Sequence, residues 1–392
     1  MLEIFADLHI HVGKSAGGRW IKIPTSSKLT VRNILTEVIE RKGIDIIGII
    51  DALSPLVLDE LSKMVDAGEL ILYSGGGYSY KEKITLILGA EIETKELNGG
   101  LGHTLIYLPD IASMQQFSKV MSKFIRNINI SSQNAHMTLQ KLIDIASGFE
   151  AAIVPAHVFT PYKSLYGSCC SRLSHILSDQ AITKIAAIEI GLSADSLLAD
   201  RLEELSKFTL LTNSDAHSLE KIGREYNVIS LAEPSFQECI KAFRCLEGRA
   251  VKANYGLNPR LGKYHSTSCA NCGKNDINII DSKCRSCGST KLVKGVADRI
   301  EEIADFPVAK HPKHRGTYFY QIPLTFIPGI GKKTLAKLLK NFGTEMNIIH
   351  HTSKIELTAV VGEALSNEII KARSGGATVI SGGGGVYGKI VK

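Results

Sequence analysis

The sequence predicts an α/β fold of the β/α-barrel kind, on three observations. Between residue 1 and about residue 255, short apolar runs alternate with amphipathic segments. Successive apolar runs lead into a histidine or a carboxylate, and glycines follow the amphipathic segments where a helix must stop.

The first run, Phe5-Ala6-Asp7-Leu8-His9-Ile10-His11-Val12, reads as a strand. Strand side chains alternate between faces, so His9 and His11 point one way, with Asp7 on that face below them. Converging imidazoles suit a divalent ion such as Zn or Mn, provided that other segments complete the ligand set. Those segments follow in order. Thr30 to Lys42, stopped by Gly43, reads as a helix, Ile44 to Ile50 as a strand running into Asp51, and Ile84 to Ala90 as a strand running into Glu91. Met137 to Ala146 before Gly148 reads as a helix, Ala152 to Ala156 as a strand running into His157, and Ile185 to Ile190 as a strand carrying Glu189. Phe208 to Thr212 leads to Asn213-Ser214-Asp215-Ala216-His217, and Ser235 to Leu246 before Gly248 reads as a closing helix.

In a β/α barrel the strand ends open on one face, where loops supply the working side chains. The expected metal ligands are therefore His9, His11, Asp51, Glu91, His103, His157, Asp215 and His217, all placed at strand ends. Glu189 reads either as a further ligand or as a packed carboxylate. Asp195 reads either as an acid or base near the metals or as the N-cap of a helix from Ser196 to Lys207. His136, His175, His265, His350 and His351 read as surface or capping residues.

At 392 residues the chain has room for one large domain and smaller appendages. Hydrophobic residues make up 44%, and no apolar run approaches the roughly 20 residues that span a bilayer, so no membrane partner is expected. Met1 leads into a strand with Glu3 and Asp7 instead of a basic-then-apolar leader; the expectation is a cytoplasmic protein, associated with the nucleoid. Cys169, Cys170, Cys239 and Cys245 read as ordinary thiols of a reducing compartment. The net charge of +7 is uneven: residues 1–250 carry 25 Lys and Arg against 29 Asp and Glu, and residues 251–392 carry 21 against 10. A basic third built of small modules suggests a polyanionic partner, nucleic acid before membrane.

Those modules are legible. Cys269-Ala270-Asn271-Cys272 and Cys284-Arg285-Ser286-Cys287 each turn two thiolates toward one point, with Gly273 and Gly288 allowing the tight knuckles. This predicts a zinc ribbon holding one structural Zn2+, because four thiolates fill its tetrahedron. Lys310 to Arg315 and Tyr318-Phe319-Tyr320 read either as phosphate contact plus base stacking or as a linker and a buried strand. Ile327-Pro328-Gly329-Ile330-Gly331-Lys332-Lys333-Thr334 opens a helix, and Gly329, Gly331, Lys332 and Lys333 offer backbone N–H groups and charge to a DNA phosphate. This looks like a helix-hairpin-helix motif; Ala359 to Leu365, with Glu363 in the basic position, reads as a weaker copy or a structural hairpin. From Ser374 the tail is expected to be mobile, with 386–391 as a candidate edge strand. The expected domains are 1–258, a phosphoesterase barrel; 259–310, the ribbon; and 311–392, a helical DNA-binding module with a flexible tail.

Asp7-Leu8-His9-Ile10-His11, the Asp51 strand end, Gly89-Ala90-Glu91, His103, Pro155-Ala156-His157 and Asn213-Ser214-Asp215-Ala216-His217 resemble the successive motifs of the PHP (polymerase and histidinol phosphatase) family. The resemblance implies a distorted (β/α)7 barrel that holds two or three divalent ions (Zn2+, Mn2+ or Mg2+) and hydrolyses phosphate esters. One departure stands out. Many PHP proteins have a histidine directly after the carboxylate matched by Asp51, and this chain has Ala52, which leaves one metal a poorer ligand set or an extra water. The order of barrel, ribbon and hairpin, with Thr317-Tyr318-Phe319-Tyr320-Gln321-Ile322-Pro323-Leu324, also resembles the endonuclease Q family over nearly the whole chain.

That second resemblance implies a DNA-repair endonuclease. It would incise on the 5′ side of deaminated bases (uracil, hypoxanthine, xanthine) and abasic sites by metal-activated water, leaving 3′-hydroxyl and 5′-phosphate ends. Asp215 and His157 are the residues whose loss should abolish cleavage, with Asp195 the candidate acid or base. The loop from Lys14 to Lys28, with Arg19, Trp20 and Lys22, reads either as part of the base pocket or as a solvated loop. Two other readings stand beside this one: a phosphatase for a small phosphate ester, and a DNA-binding scaffold with a degenerate metal site. A sliding clamp or another repair factor is a further candidate partner, which sequence alone does not decide.

Overall fold

Strand β1 (Leu2–Ile10), buried from Ala6 onward, is paired on both sides. The computed structural model describes all residues except 276, 279–281, 374–377, 383–384 and 392. After β1, helix α1 (Val31–Glu37) starts at Thr30, whose hydroxyl accepts the Asn33 N–H, and the helical stretch ends at Gly43 with φ 78°. β2 (Ile46–Ile49) is buried throughout, as a parallel strand covered on both faces must be. Gly48 is needed there, since a Cβ would come 2.3 Å from the Leu8 carbonyl oxygen.

α2 (Pro55–Asp66), β3 (Leu70–Leu72) and β4 (Tyr78–Tyr80) lead to a long hairpin, β5 (Ile84–Lys95) and β6 (Leu101–Leu108). α3 (Ile111–Met121), α4 (Leu139–Ala146), β7 (Ala152–Pro155), α5 (Asp179–Lys184), β8 (Ile188–Glu189), α6 (Ser196–Ala199) and β9 (Leu210–Leu211) follow. β10 (Tyr226–Leu231), α7 (Phe236–Phe243) and β11 (Ala250–Gly256) complete this part.

Backbone pairing runs in a circuit. β1–β2 and β2–β5 are parallel, β5–β6 and β6–β7 antiparallel, and β8–β9 parallel. Parallel bridges from Ile153 to Ile185 and from Ala216 to Ile10 connect β7 to the β8 run and the segment after β9 back to β1. The hairpin corrects the placing of Glu91 and His103 at strand ends. β5 continues through Glu91 and Glu93 to Lys95, and His103 lies near the start of β6. Because β6 runs back along β5, with His103 opposite Glu93, both residues still reach the same end of the sheet.

The cysteine segment forms short strands: β12 (Ser268–Cys269) pairs with β15 (Leu292–Val293), and β13 (Ile277–Asn278) with β14 (Lys283–Cys284). α8 (Val296–Ile303) precedes β16 (Thr317–Tyr320), which adds to β11 in parallel, with Phe319 stacked on Tyr255 at 4.9 Å. Arg315 and His311 both close on buried Asp200, each at 2.6 Å, so this stretch is a linker and a strand, but the strand is not buried: Thr317 and Phe319 are exposed and Tyr318 and Tyr320 half-buried.

Four helices follow: α9 (Lys332–Phe342), α10 (Glu345–His350), α11 (Lys354–Val361) and α12 (Glu363–Arg373). They are fastened to the larger part by a buried Lys42–Glu345 ion pair at 2.9 Å and by His350. His350 is therefore no surface residue: it stacks on Phe5 at 4.7 Å and lies 2.6 Å from the Tyr226 hydroxyl. His136, His175 and His351 are exposed as expected, and His265 is half-buried.

Among the described residues the tail forms a hairpin, whose second strand falls within the 386–391 candidate. β17 (Thr378–Ile380) pairs with β18 (Lys389–Val391), and the N–H groups of Gly382 and Gly388 donate to the carbonyls of Arg260 (2.6 Å) and Leu261 (3.0 Å). The remaining tail positions, 374–377, 383–384 and 392, lie outside the described residues. No helix among the described residues is long and apolar enough to cross a membrane.

Candidate metal centre

Each of the eight residues expected as catalytic-site ligands reaches the same end of the strand circuit, and two groups of three offer ligand atoms close enough to share an ion. One is His9, His11 and Asp215; the other is Glu91, His103 and His157. His9 Nε2 and His11 Nε2 each lie 3.5 Å from Asp215 Oδ1. Glu91 joins the groups: its Oε1 is 2.8 Å from His103 Nδ1, 3.4 Å from His157 Nε2 and 3.6 Å from His9 Nε2, and its Oε2 is 3.7 Å from His11 Nε2. The pocket above them encloses about 270 Å³.

The donor set fits divalent ions. His9 Nε2 and His11 Nε2 are buried without a hydrogen-bond partner among the described residues, a cost that a metal ion in reach of both lone pairs removes. The opposite nitrogens are gripped. Glu189 Oε2 holds His9 Nδ1 at 2.9 Å, and both Asp51 oxygens lie 3.2 Å from His11 Nδ1. Such carboxylate–histidine pairs fix tautomer and ring direction. Glu189 thus acts through His9, in line with the packed-carboxylate alternative, and takes a further hydrogen bond from Asn213 Nδ2 at 3.1 Å.

Electrostatics agree. Burial favours neutral imidazole at His9, but the carboxylates of Glu189, Asp215 and Glu91 outweigh it and bring the ring up to about 10, so an ion binding there displaces a proton. Burial likewise opposes charge on Asp215 and Glu91, yet His9 and its neighbours hold Asp215, and His103 and Lys22 hold Glu91, well below the usual carboxylate range. His217, pushed down to about 4 by burial, has Nδ1 on the Asp215 carbonyl at 3.0 Å and its ring 4.6 Å from that of His11, beside rather than within the two groups. His157 and Asp215 adopt left-handed backbone, φ 31° and 45°, a conformation that side-chain-bearing residues keep only where the surroundings enforce it.

Two residues of the motif face take other roles. Asp7 is buried beneath the site and accepts the Ser214 N–H at 3.0 Å and the Gly223 N–H at 2.9 Å, pinning the loop that carries Asp215. Asp195 is a helix N-cap: Oδ1 accepts the Leu198 N–H at 2.8 Å and Oδ2 the Tyr320 hydroxyl at 2.6 Å, with both oxygens committed outside the pocket. The acid-or-base alternative for Asp195 has no geometric support.

Other residues at the site are not singled out by sequence reasoning. Glu93 holds His103 Nε2 at 3.3 Å and Lys163 at 2.8 Å, and its spacing of two from Glu91 in a strand is a signal that could have found it. Ser131 and Ser132, which bond the Asp51 and Glu91 carboxylates, and Tyr264 and Tyr387, which line the pocket, carry no such signal.

The four cysteines also converge. Sγ separations of 3.5 Å for Cys269–Cys287 and Cys272–Cys284 approach the roughly 3.8 Å edge of a tetrahedral zinc–thiolate site. Backbone N–H groups of the knuckle bring the Cys269 thiol down to about 6. At α9, Lys332 and Lys333 are exposed at an N-terminus opened by Gly329, φ 95°, and Gly331.

No protein-family model matches the chain. It is 43% identical to the uncharacterized protein YqxK of Bacillus subtilis over the full length of both. A shorter match, 33% identical, covers 68% of the chain and 34% of the uncharacterized protein MJ0043 of Methanocaldococcus jannaschii. Among solved structures it overlays the lesion-specific endonuclease PfuEndoQ of Pyrococcus furiosus with a TM-score of 0.84 and 30% identity, covering 99% of this chain and 95% of that one. The chain belongs to the endonuclease Q family. Another endonuclease Q structure, a complex with a 27-mer duplex carrying an abasic lesion at its active site, overlays with a TM-score of 0.85 over 99% of this chain. Within this endonuclease Q family member the mixed α/β fold and the four-cysteine cluster are both in place.

Proposed function

We propose that the chain is a metal-dependent DNA-repair endonuclease that hydrolyses the phosphodiester bond on the 5′ side of deaminated bases and abasic sites. The observation that carries this reading is the pair of ligand groups joined by Glu91, in a chain that overlays lesion-specific endonucleases end to end. We read the strand circuit as the (β/α)7 barrel and residues 1–258 as the phosphoesterase domain. Residues 259–310 are then a zinc ribbon, and 311–392 a helix-hairpin-helix module that holds DNA phosphates through Gly329, Gly331, Lys332 and Lys333. The protein would work in the cytoplasm, on the nucleoid.

Divalent ions bound by the two groups would lower the pKa of a coordinated water and neutralise charge building on the phosphate. His9, His11 and Asp215 hold one side of that centre, Glu91, His103 and His157 the other, and Glu189 and Asp51 keep the first two rings aimed. Tyr162 and Tyr264 line the pocket, where a nucleotide leaving the duplex would meet aromatic rings. Deaminated bases share a keto oxygen beside a ring N–H, which a single donor and acceptor pair can read.

The test is incision of labelled duplex carrying one uracil, hypoxanthine or abasic site, beside undamaged duplex, with Mg2+, Mn2+ or Zn2+ and an Asp215→Asn control. A metal-dependent nick 5′ of the lesion, absent in the control, is expected. Equal cutting of undamaged DNA removes the lesion claim, and rapid hydrolysis of a small phosphate ester without nicking returns the phosphatase reading.

A further inference from the structure

Lys22 is a buried cation at the metal centre, and neither ligand group uses it. It is 8% exposed, its Nζ lies 2.9 Å from Glu91 Oε2, and it donates to Ser132 Oγ. An ammonium is costly to bury, and one set against a carboxylate that also faces two ligand groups competes directly with metal for that oxygen. The chain nevertheless builds a frame to hold it. Ile21, fully buried, donates its N–H to the Gly13 carbonyl at 2.9 Å and accepts the Ser131 N–H at 2.8 Å; the Thr25 hydroxyl closes on the Lys22 carbonyl at 2.5 Å.

The side of the centre that Lys22 occupies lacks a third ligand group. Asp51 is there, bonded by Ser131 and by the Val12 N–H at 2.6 Å, but buried Ala52 follows it and offers no donor. His217, whose Nδ1 lies on a backbone carbonyl, keeps Nε2 for a ligand but stands apart from both groups. Among the described residues neither group of three that could hold an ion includes Asp51 or His217. The space between Asp51 and Glu91 Oε2 is filled by the ammonium and the hydroxyls of Ser131 and Ser132. Of the three N–H donors on Nζ, Glu91 and Ser132 take two among the described residues, which leaves one for a ligand in the pocket that Lys22 lines.

We propose that Lys22 is a built-in cation that stands in for a third divalent ion and donates to a non-bridging oxygen of the phosphate being cleaved. This role rests on reading the pocket as a phosphodiester site, and it gives Lys22 a charge that the metals alone do not supply.

The test uses the full chain, wild type against Lys22→Met, Lys22→Gln and Lys22→Arg, with two readouts that need no DNA. Elemental analysis after dialysis against Mn2+ counts ions, and calorimetry measures binding of inorganic phosphate to the loaded protein. Wild type should hold two ions beyond the one at the cysteines. The neutral variants should keep that count yet bind phosphate roughly ten- to a hundredfold more weakly, the worth of one charge-assisted hydrogen bond, with Lys22→Arg recovering most of it. A third ion at the wild-type centre, loss of an ion from the neutral variants, or unchanged phosphate affinity in them overturns the proposal. Lys22→Gln, the smaller change, decides between these outcomes if Lys22→Met does not fold. Failure of the lesion-nicking assay with the expected ion counts and phosphate affinities intact would sink the endonuclease reading and leave the Lys22 role standing.

Discussion

On the proposed phosphate contact, replacing Lys332 and Lys333 together with alanine is expected to separate holding DNA from cutting it. Both side chains are exposed at the first turn of α9, and no other residue caps that turn with a side chain. The backbone N–H groups there remain in the variant, so the change removes charge and little else. If each lysine neutralises one phosphate, the slope of log affinity against log salt becomes shallower by about 0.9 per lysine, about 1.8 in all. Raising salt from about 50 to about 200 mM spans about 0.6 of a decade, so wild type should lose about twelvefold more affinity over that range than the variant. Fluorescence anisotropy with a lesion-bearing duplex in a salt series measures the slopes, and single-turnover cleavage at saturating enzyme measures the chemistry. The slope should fall while the cleavage rate stays. An unchanged slope would refute the phosphate contact, and a collapsed single-turnover rate would refute the separation of binding from catalysis.

Other consequences are as direct. Glu189→Gln keeps the shape beside His9 Nδ1 but removes the charge, and chelator competition should show metal binding weakened by roughly ten- to a hundredfold; equal affinity would mean that the 2.9 Å contact does not orient the ring. Gly191→Ala places a Cβ 2.8 Å from that of His157 at φ 77°, so thermal stability should drop by about 1–3 kcal/mol and ion occupancy with it, with an unaltered melting curve as the contrary result. His350 is pushed down to about 4, first by burial and then by the charges of His351 and Arg373. The unfolded chain takes up that proton below about pH 6.5 and the folded one only near 4, so this stabilisation is complete above about 6.5 and lost as pH falls toward 4. His350→Gln should flatten the melting temperature's dependence on pH across that window; an unchanged dependence would point to other groups.

Some residues are legible in the sequence and others are hidden for physical reasons. His9 and His11 are readable because strand alternation is local, and Asp51, His157 and Asp215 because a short apolar run announces its own end. Glu91 and His103 read as strand-end residues because nothing local distinguishes a parallel crossover from the antiparallel return of β6. Asp195 carries two local meanings, and Tyr320, 125 positions away, occupies the oxygen that catalysis would need. Arg315 looks like a DNA contact until folding brings buried Asp200 against it. Lys22 is indistinguishable from a loop lysine because Ser131, Ser132 and Glu91, which hold it, arrive from distant segments. His350 reads as superficial because the ring it stacks on belongs to β1.

The docked tail gives the pocket a history. Tyr387, whose hydroxyl accepts from Arg224 Nη1 at 3.1 Å, shares the pocket with His11, so floor and wall come from opposite extremes of the sequence. A ribosome makes this floor well before this wall, which lies hundreds of residues later in the chain. During synthesis the histidines and carboxylates are thus open to ions while the cavity above them lacks one side. A chain cut short before residue 387 would carry both groups of candidate ligands but lack the Tyr387 side of the pocket, so closure of that pocket is tied to translation having passed residue 387.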